Sequence, residues 1–142
     1  MVFARVQSIV RGFLLGLSGT IFAYGQTGAG KTYSIVGGEQ LQGSTKSGIL
    51  PRALDFVFAS LDPASTRLSA RFFEIYNEKI FDLLGGACAA QPRSRRSLSR
   101  GRPQAGLELR EEKDGSFSVP ELRRVELRTL TEAYDWLEKG LQ

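Results

Sequence analysis

Apolar side chains recur at helical spacing in three parts of the chain, residues 2–17, 51–61 and 129–140, and predict three amphipathic helices. Their stripes consist of Val2, Val6, Ile9, Val10, Phe13, Leu14 and Leu17; Leu54, Val57, Phe58 and Leu61; and Tyr134 with Leu137. Turn-forming residues predict the ends of the first two helices, at Ser18-Gly19 and Asp62-Pro63, while Pro51 suits the first position of the second. The third helix is predicted to open with a capping box, Thr129-Leu-Thr-Glu132, and to stop at Gly140.

Runs of β-forming residues predict strands at 20–24 and 68–76 and a hairpin over 107–119. Residues 20–24 are almost entirely apolar, which is typical of a parallel strand buried on both faces. The hairpin alternates polar and apolar residues around Asp114-Gly115, which predicts one solvent-facing side.

Asn77 follows the 68–76 run, and its side chain suits the N-cap of a short helix. That helix would carry Ile80, Leu83 and Leu84 on one side. Gly85-Gly86 is predicted to close it.

Two stretches have the composition of connecting segments. Residues 37–48 are polar and glycine-rich, which predicts a flexible surface loop, and residues 87–106 are predicted to form a disordered or loosely held insertion. Five arginines and no acid lie within residues 91–102, and removing them from the net charge of +4 leaves −1. A solvated loop is the simplest interpretation of these arginines. The alternatives are binding to an acidic surface or a nucleic acid, or phosphorylation of Ser97 or Ser99.

The composition is that of a soluble single domain, with 142 residues, 42% of them hydrophobic and 24% charged. No apolar run approaches the ~20 residues that span a bilayer. Arg5 and Arg11 interrupt the N-terminal pattern, which is therefore not that of a secretory signal. One cysteine and no histidine exclude an intramolecular disulfide and a His/Cys metal site, so a cytosolic location is expected.

The chemistry is concentrated in Gly25-Gln-Thr-Gly-Ala-Gly-Lys-Thr32, which fits the phosphate-loop pattern G-x-x-x-x-G-K-[ST]. Glycines 25, 28 and 30 are predicted to take positive φ and turn backbone N–H groups inward. Lys31 is predicted to contact the β- and γ-phosphates of a nucleotide, and Thr32 to ligate Mg²⁺. A helix opening at Lys31 adds unpaired N–H groups before Gly37-Gly38 ends it. A Rossmann site is excluded because the third glycine of that motif is missing.

Three segments in order resemble the kinesin motor domain: residues 19–32; Gly48-Ile-Leu-Pro-Arg52; and Phe73-Glu-Ile-Tyr-Asn-Glu78 followed by Asp82-Leu-Leu84. The resemblance implies an α/β fold of the P-loop NTPase type, a mixed sheet flanked by helices. It also implies Mg-ATP as cofactor, microtubules as partner and a location on the cytoplasmic cytoskeleton. The nucleotide-binding residues would be Gly25, Gln26, Thr27, Gly28, Ala29, Gly30, Lys31 and Thr32, with Thr32 at the metal. The 107–119 hairpin resembles the one that kinesins place against tubulin, whereas Glu74, Tyr76 and Asn77 are interpreted as structural.

The resemblance covers nearly the whole chain apart from residues 85–106 and predicts that residues 1–142 are an incomplete motor domain. The family's N-terminal strand would precede Met1, and switch I, switch II and the main microtubule-binding helix would follow Gln142. We therefore assign no catalytic residue and expect nucleotide binding without hydrolysis, so this chain alone would not be a competent motor. The alternatives are a non-catalytic truncated fragment or isoform, or another P-loop NTPase. The strand at 20–24 would lack partners, which predicts an unstable or aggregation-prone chain.

Overall fold

A computed structural model describes residues 2–38, 46–62, 64–85 and 106–142. Its helices are α1 (Val2–Leu14), α2 (Lys31–Ile35), α3 (Ile49–Ser60) and α4 (Leu130–Leu141). Its strands are β1 (Leu68–Ala70), β2 (Phe73–Tyr76), β3 (Lys79–Asp82), β4 (Arg110–Glu111), β5 (Phe117–Ser118) and β6 (Val125–Leu127). The chain divides into two compact units. Unit 1 is Met1–Arg67 with Arg128–Tyr134, and unit 2 is Leu68–Leu127 with Asp135–Gln142.

α1 and α3 of unit 1 form where the apolar stripes predict helices, and α2 forms where the phosphate-loop pattern predicts one. α1 packs against α3, and α2 also contacts α3. Val6 and Val10 of α1 and Val57 of α3 are buried, which removes their apolar surface from water and holds the helices in place. The guanidinium of Arg11 lies 5.8 Å from the ring centroid of Phe56, so its charge remains close to an aromatic face.

α1 ends earlier than predicted, at Leu14 instead of Ser18-Gly19. Gly16 takes a φ of 80°, its N–H donates to the carbonyl of Phe13 (2.9 Å), and the N–H of Leu17 donates to the carbonyl of Gly12 (3.0 Å). This pair of bonds is the Schellman motif, which satisfies carbonyls at a helix C-terminus. The sequence pattern overlooked Gly16 because apolar Leu17 continues the stripe beyond it.

Residues 20–24 were predicted to form a strand buried on both faces, and that prediction is wrong. They form no strand, and the side chains of Phe22 and Tyr24 are 81% and 94% exposed. A strand needs a neighbour to pair with its N–H and C=O groups, and the described residues supply none to this segment. The exposure of this apolar segment is as expected for a strand without partners; the predicted instability of the chain stays a prediction.

The segment between α2 and α3 is held at both ends, in contrast to the flexible loop predicted for 37–48. Gly37 and Ser47 form an antiparallel bridge, and the N–H of Gly48 donates to the carbonyl of Val36 (3.0 Å). Residues 39–45 lie outside the described residues. α3 begins at Ile49, so Pro51 lies within its first turn, where a missing N–H costs no helical hydrogen bond.

The strands of unit 2 form three two-stranded antiparallel sheets, β1–β6, β2–β3 and β4–β5. The single strand predicted over 68–76 is therefore two strands that belong to different sheets. Composition alone gave no reason for a break at Arg71-Phe72, because the break follows from pairing: β1 pairs with the distant β6, whereas β2 pairs with the adjacent β3.

Asn77 does not cap a helix, which corrects the prediction for 77–84. Asn77 and Glu78 have φ values of 49° and 64°, and Tyr76 pairs with Lys79 across them. Positive φ at both central residues of a two-residue loop is the requirement of a type I′ hairpin turn, which asparagine tolerates. The residues after the turn therefore form β3, with Ile80 buried.

The 107–119 hairpin is confirmed, with its turn at Gly115 (φ 80°). The side chain of Asp114 accepts bonds from the hydroxyl (2.6 Å) and the N–H (2.9 Å) of Ser116, which lower the pKa of Asp114. The prediction that only one side of the hairpin faces solvent is wrong, because the apolar side chains of Leu109 and Phe117 are exposed as well. Only its base is buried, where Val119 packs with Ile80 and Leu122.

α4 begins as predicted after Thr129, but only one bond of the predicted capping box forms, because the carboxylate of Glu132 accepts from the N–H of Arg128 and not from that of Thr129. The N–H of Glu132 donates to Oγ1 of Thr129 (3.1 Å), and Oε2 of Glu132 accepts from the N–H of Arg128 (2.9 Å). Gly140 does not end this helix, which continues to Leu141. A side chain at Gly140 would collide with the ring of Phe72, so glycine is needed there for close packing and not as a terminator.

Candidate phosphate-binding loop

The loop from Gly25 to Gly30 has the backbone conformation that its glycines predict. Gly25, Gly28 and Gly30 have φ values of 152°, 86° and 81°, all positive. The N–H of Ala29 donates to the carbonyl of Gln26 (3.1 Å) and closes a turn inside the loop. Because a Cβ at Gly28 or Gly30 would meet no heavy atom within 4 Å, backbone conformation and not crowding requires glycine at these two positions.

Helix α2 starts at the end of this loop and presents its N-terminus to the same region. Its N-cap residue, Gly30, is left-handed and provides no side-chain hydrogen bond. The first turn of a helix has N–H groups with no partner inside the helix, and an anion can accept from them. The N–H of Ser34 donates to the carbonyl of Gly30 (2.8 Å), so regular helical bonding begins directly behind the loop.

The ammonium of Lys31 lies over the loop. Its Nζ donates to the carbonyl of Gly25 (2.8 Å) and to that of Gln26 (2.7 Å). These bonds fold the side chain back across the glycines, which places a positive charge beside the N-terminus of α2. A polyanion entering the loop would therefore meet a cation and backbone donors together, which fits a phosphate group.

The other candidate residues lie within the loop or directly after it and are exposed to solvent. The side chains of Gln26, Thr27, Ala29 and Thr32 are exposed, and Thr32 lies in the first turn of α2. A hydroxyl at that position would offer an oxygen ligand to Mg²⁺. Within the described ranges, no group of three or more His, Cys, Asp or Glu side chains is arranged to hold a metal ion.

Gly48 packs against the last turn of α2, a contact that was not predicted from the sequence. A Cβ at Gly48 would lie 2.5 Å from the carbonyl carbon and oxygen of Ile35. The backbone that starts α3 is therefore pressed directly on the last turn of α2. The glycine before Ile49-Leu-Pro51 was a signal for this close approach, although the sequence alone did not show which backbone it meets.

Tyr134 makes a second contact that was not predicted from the sequence. It is 2% exposed, and its hydroxyl donates to Oδ1 of Asp55 (2.8 Å) and lies 3.3 Å from the carbonyl oxygen of Pro51. Burial raises the pKa of Tyr134, and the hydrogen bond and negative charge of Asp55 raise it further. Its place in the apolar stripe of α4 indicated burial, but nothing in the sequence indicated its partner.

The remaining sequence motifs lie in unit 2. Glu74 and Tyr76 belong to β2, and Asn77 forms the turn after it, positions that agree with a structural interpretation. Residues 91–102, with their five arginines, lie outside the described residues. The roles considered for them stay predictions.

The sequence model of one family, described as the kinesin motor domain, matches residues 1–142. This chain belongs to the kinesin motor domain family. It is 36% identical over 151 residues to the kinesin-like protein KIF15 of Homo sapiens, a match that covers 98% of this chain and 10% of that protein. It is also 36% identical over 140 residues to the kinesin-like protein KIN-5B of Arabidopsis thaliana, covering 95% of this chain and 13% of that protein. The chain thus spans only a small part of these kinesins.

A solved structure confirms the fold class. The chain superposes on the structure of a fast kinesin with a TM-score of 0.76 and 28% sequence identity, covering 95% of this chain and 34% of that one. This superposition confirms the P-loop NTPase fold class that the resemblance implied. In the part of this kinesin chain that the structure describes, no helix is both long and apolar enough to cross a membrane.

Proposed function

We propose that residues 25–32 bind the phosphates of Mg-ATP, as the nucleotide loop of a microtubule-dependent motor ATPase. Residues 1–142 would be one part of that motor domain. The observation that supports this most directly is the position of the Lys31 ammonium, bonded across a loop whose three glycines all have positive φ. A phosphate loop requires both properties, because the backbone must curve around the anion while a cation balances its charge.

Each residue of the loop would contribute differently to binding. The N–H groups beside Gly28 and Gly30 and in the first turn of α2 would donate to phosphate oxygens. Lys31 would exchange at least one loop carbonyl for the β- or γ-phosphate, and the exposed hydroxyl of Thr32 would complete the shell of Mg²⁺. The metal would neutralise charge on the β- and γ-phosphates and orient them.

We infer that residues 1–142 bind the nucleotide without hydrolysing it. Phosphoryl transfer needs groups that position the attacking water and sense the γ-phosphate, in addition to the phosphate loop. None of the eight loop residues is an aspartate, glutamate or histidine, the commonest general bases, and we assign no catalytic residue among them. The activity would require the switch segments that complete a kinesin motor.

Thermal unfolding of the 142-residue chain with and without millimolar Mg-ATP tests nucleotide binding. A ligand that binds only the folded state stabilises it by RT ln(1 + [L]/Kd), about 2.7 kcal/mol at a hundredfold excess over Kd. We expect a rise in Tm that disappears in Lys31→Ala and persists in Lys113→Ala, which removes an exposed lysine from the hairpin turn. An equal rise in both variants, or none in the unmodified chain, would refute the proposal.

We further propose that the 107–119 hairpin is a microtubule-contacting surface. Its exposed Leu109 and Phe117 lie among charged residues, the mixture typical of a protein contact. Co-sedimentation with microtubules should weaken when both are changed to serine. Changing the exposed Phe73 of β2 to serine should leave it unaltered, and equal loss in both variants would argue against the hairpin.

A further inference from the structure

We propose that Tyr134 and Asp55 are positioning residues for the phosphate loop, coupled to it through the start of α3. This inference rests on the proposed nucleotide binding for its functional consequence. Its structural part, that the hydroxyl of Tyr134 fixes the end of α2, stands independently of any ligand. All the residues involved belong to unit 1.

The first contact joins α4 to α3. The hydroxyl of Tyr134 reaches both the carboxylate of Asp55 (2.8 Å) and the carbonyl of Pro51 (3.3 Å) from a site that is almost fully buried. Proline at this point leaves its carbonyl as its only backbone hydrogen-bonding group. A buried hydroxyl that donates its one proton to Asp55 while lying against the carbonyl oxygen of Pro51 restrains the position of the first turn of α3.

The second contact joins the start of α3 to the end of α2. Gly48 is buried immediately before α3, its N–H donates to the carbonyl of Val36 (3.0 Å), and a Cβ there would lie only 2.5 Å from the carbonyl of Ile35. Backbone pressed on backbone has little room to slide, because packed interiors do not deform continuously. A shift of the first turn of α3 would therefore be transmitted to the last turn of α2.

The third step depends on the length of α2, which is too short to absorb a displacement. It has only five residues, from Lys31 to Ile35, so its last turn is within about one turn of its first. A displacement at Val36 cannot be absorbed along such a helix without moving Lys31 and Thr32. The hydroxyl of Tyr134, which does not contact the loop, would thereby set the geometry of the two loop side chains with assigned roles.

Tyr134→Phe removes only the hydroxyl and keeps the aromatic packing, and Asp55→Asn keeps an acceptor oxygen for it. Tyr76→Phe is the matched control, since it removes a hydroxyl from an exposed tyrosine in unit 2. Val10→Ala controls for lost stability, because it truncates a buried side chain of α1 that takes no part in these contacts.

Hydrogen exchange measured by NMR on the 142-residue chain tests the structural part. In Tyr134→Phe we expect the Val36 and Gly48 amides to exchange about three to ten times faster, while Leu122 in unit 2 keeps its rate. Asp55→Asn should leave all these rates near their original values. Unchanged exchange at Val36 and Gly48, or the same acceleration in Val10→Ala at equal Tm, would overturn the inference.

Nucleotide affinity tests the functional part. The Kd for Mg-ATP, titrated well below the Tm of each variant, should be about three to ten times weaker in Tyr134→Phe and unchanged in Tyr76→Phe and Val10→Ala. Absence of Lys31-dependent binding in the unmodified chain would refute the proposed function, while the exchange experiment would still decide the structural part. Binding that is as tight in Tyr134→Phe as in the unmodified chain would refute the positioning role.

Discussion

Two short apolar segments of this chain, residues 20–24 and strand β6, differ sharply in burial. β6 alternates, with Val125 and Leu127 buried and Glu126 exposed, and it pairs with β1 throughout. Residues 20–24 are more apolar, yet Phe22 and Tyr24 are among the most exposed of the large hydrophobic side chains described. An alternating strand needs one covered face, which unit 2 supplies, whereas a uniformly apolar strand needs pairing partners and two covered faces. Hydrophobicity thus indicates how much covering a segment requires, and the rest of the fold determines whether it is covered.

The largest expected effect tests the buried side of this comparison. Leu127→Ala should lower the free energy of unfolding by about 2–5 kcal/mol, because it removes a buried side chain and leaves a cavity. Urea unfolding followed by circular dichroism measures the change. A loss below about 0.5 kcal/mol, the range of surface positions, would show that β6 is no better covered than residues 20–24.

Close backbone packing next to the loop should produce the second largest effect. Gly48→Ala places a methyl group against the carbonyl of Ile35, and overpacking of this kind costs about 1–3 kcal/mol. The same measurement on Gly28→Ala provides the contrast, since a methyl group there meets no neighbour and only the positive φ opposes it. A loss below about 0.5 kcal/mol in Gly48→Ala would mean that this position is not crowded.

The dependence of stability on alkaline pH should report the burial of the Tyr134 hydroxyl. The pKa of Tyr134 is raised above its ordinary value of 10.0, so the folded state holds this proton more tightly than the unfolded state does. Its contribution is therefore complete below about pH 10 and is lost as the pH rises towards the folded-state pKa. Unfolding free energies measured between about pH 8 and about pH 11 should fall more steeply for the unmodified chain than for Tyr134→Phe. Parallel curves would contradict this.

The smallest effect on stability is expected at the exposed segment. Phe22→Ser should change the free energy of unfolding by no more than about 0.5 kcal/mol, because the side chain is already in water. It should, however, reduce self-association in light scattering, since an exposed apolar patch promotes contacts between molecules. A large loss of stability would show that residues 20–24 are buried in solution and would contradict the contrast with β6.

Local signals in the sequence predicted the features that depend on neighbouring residues. The positive φ values of Gly28 and Gly30, the start of α2 at Lys31 and the bond from the N–H of Glu132 to the hydroxyl of Thr129 were all predicted correctly. Each depends on contacts within a few positions along the chain. The conformation of the candidate site was therefore the most predictable part of the molecule.

Features that depend on distant residues were predicted less well. The burial of residues 20–24, the unbroken strand over 68–76 and the role of Gly140 all depended on partners that local sequence does not identify. Asn77 was a different error, because asparagine suits both a helix cap and a left-handed turn position. The pairing of Tyr76 with Lys79 decided between them.

The folded-back side chain of Lys31 also bears on the entropy of binding. A lysine side chain has about 2 kcal/mol of rotamer entropy to lose when it is ordered. Here two bonds to the carbonyls of Gly25 and Gln26 already order the side chain. The entropy is therefore lost when the chain folds and not when the ligand binds. A phosphate arriving at the loop would exchange one acceptor for another around a charge that is already in position. Preorganisation of this kind raises affinity without adding a contact.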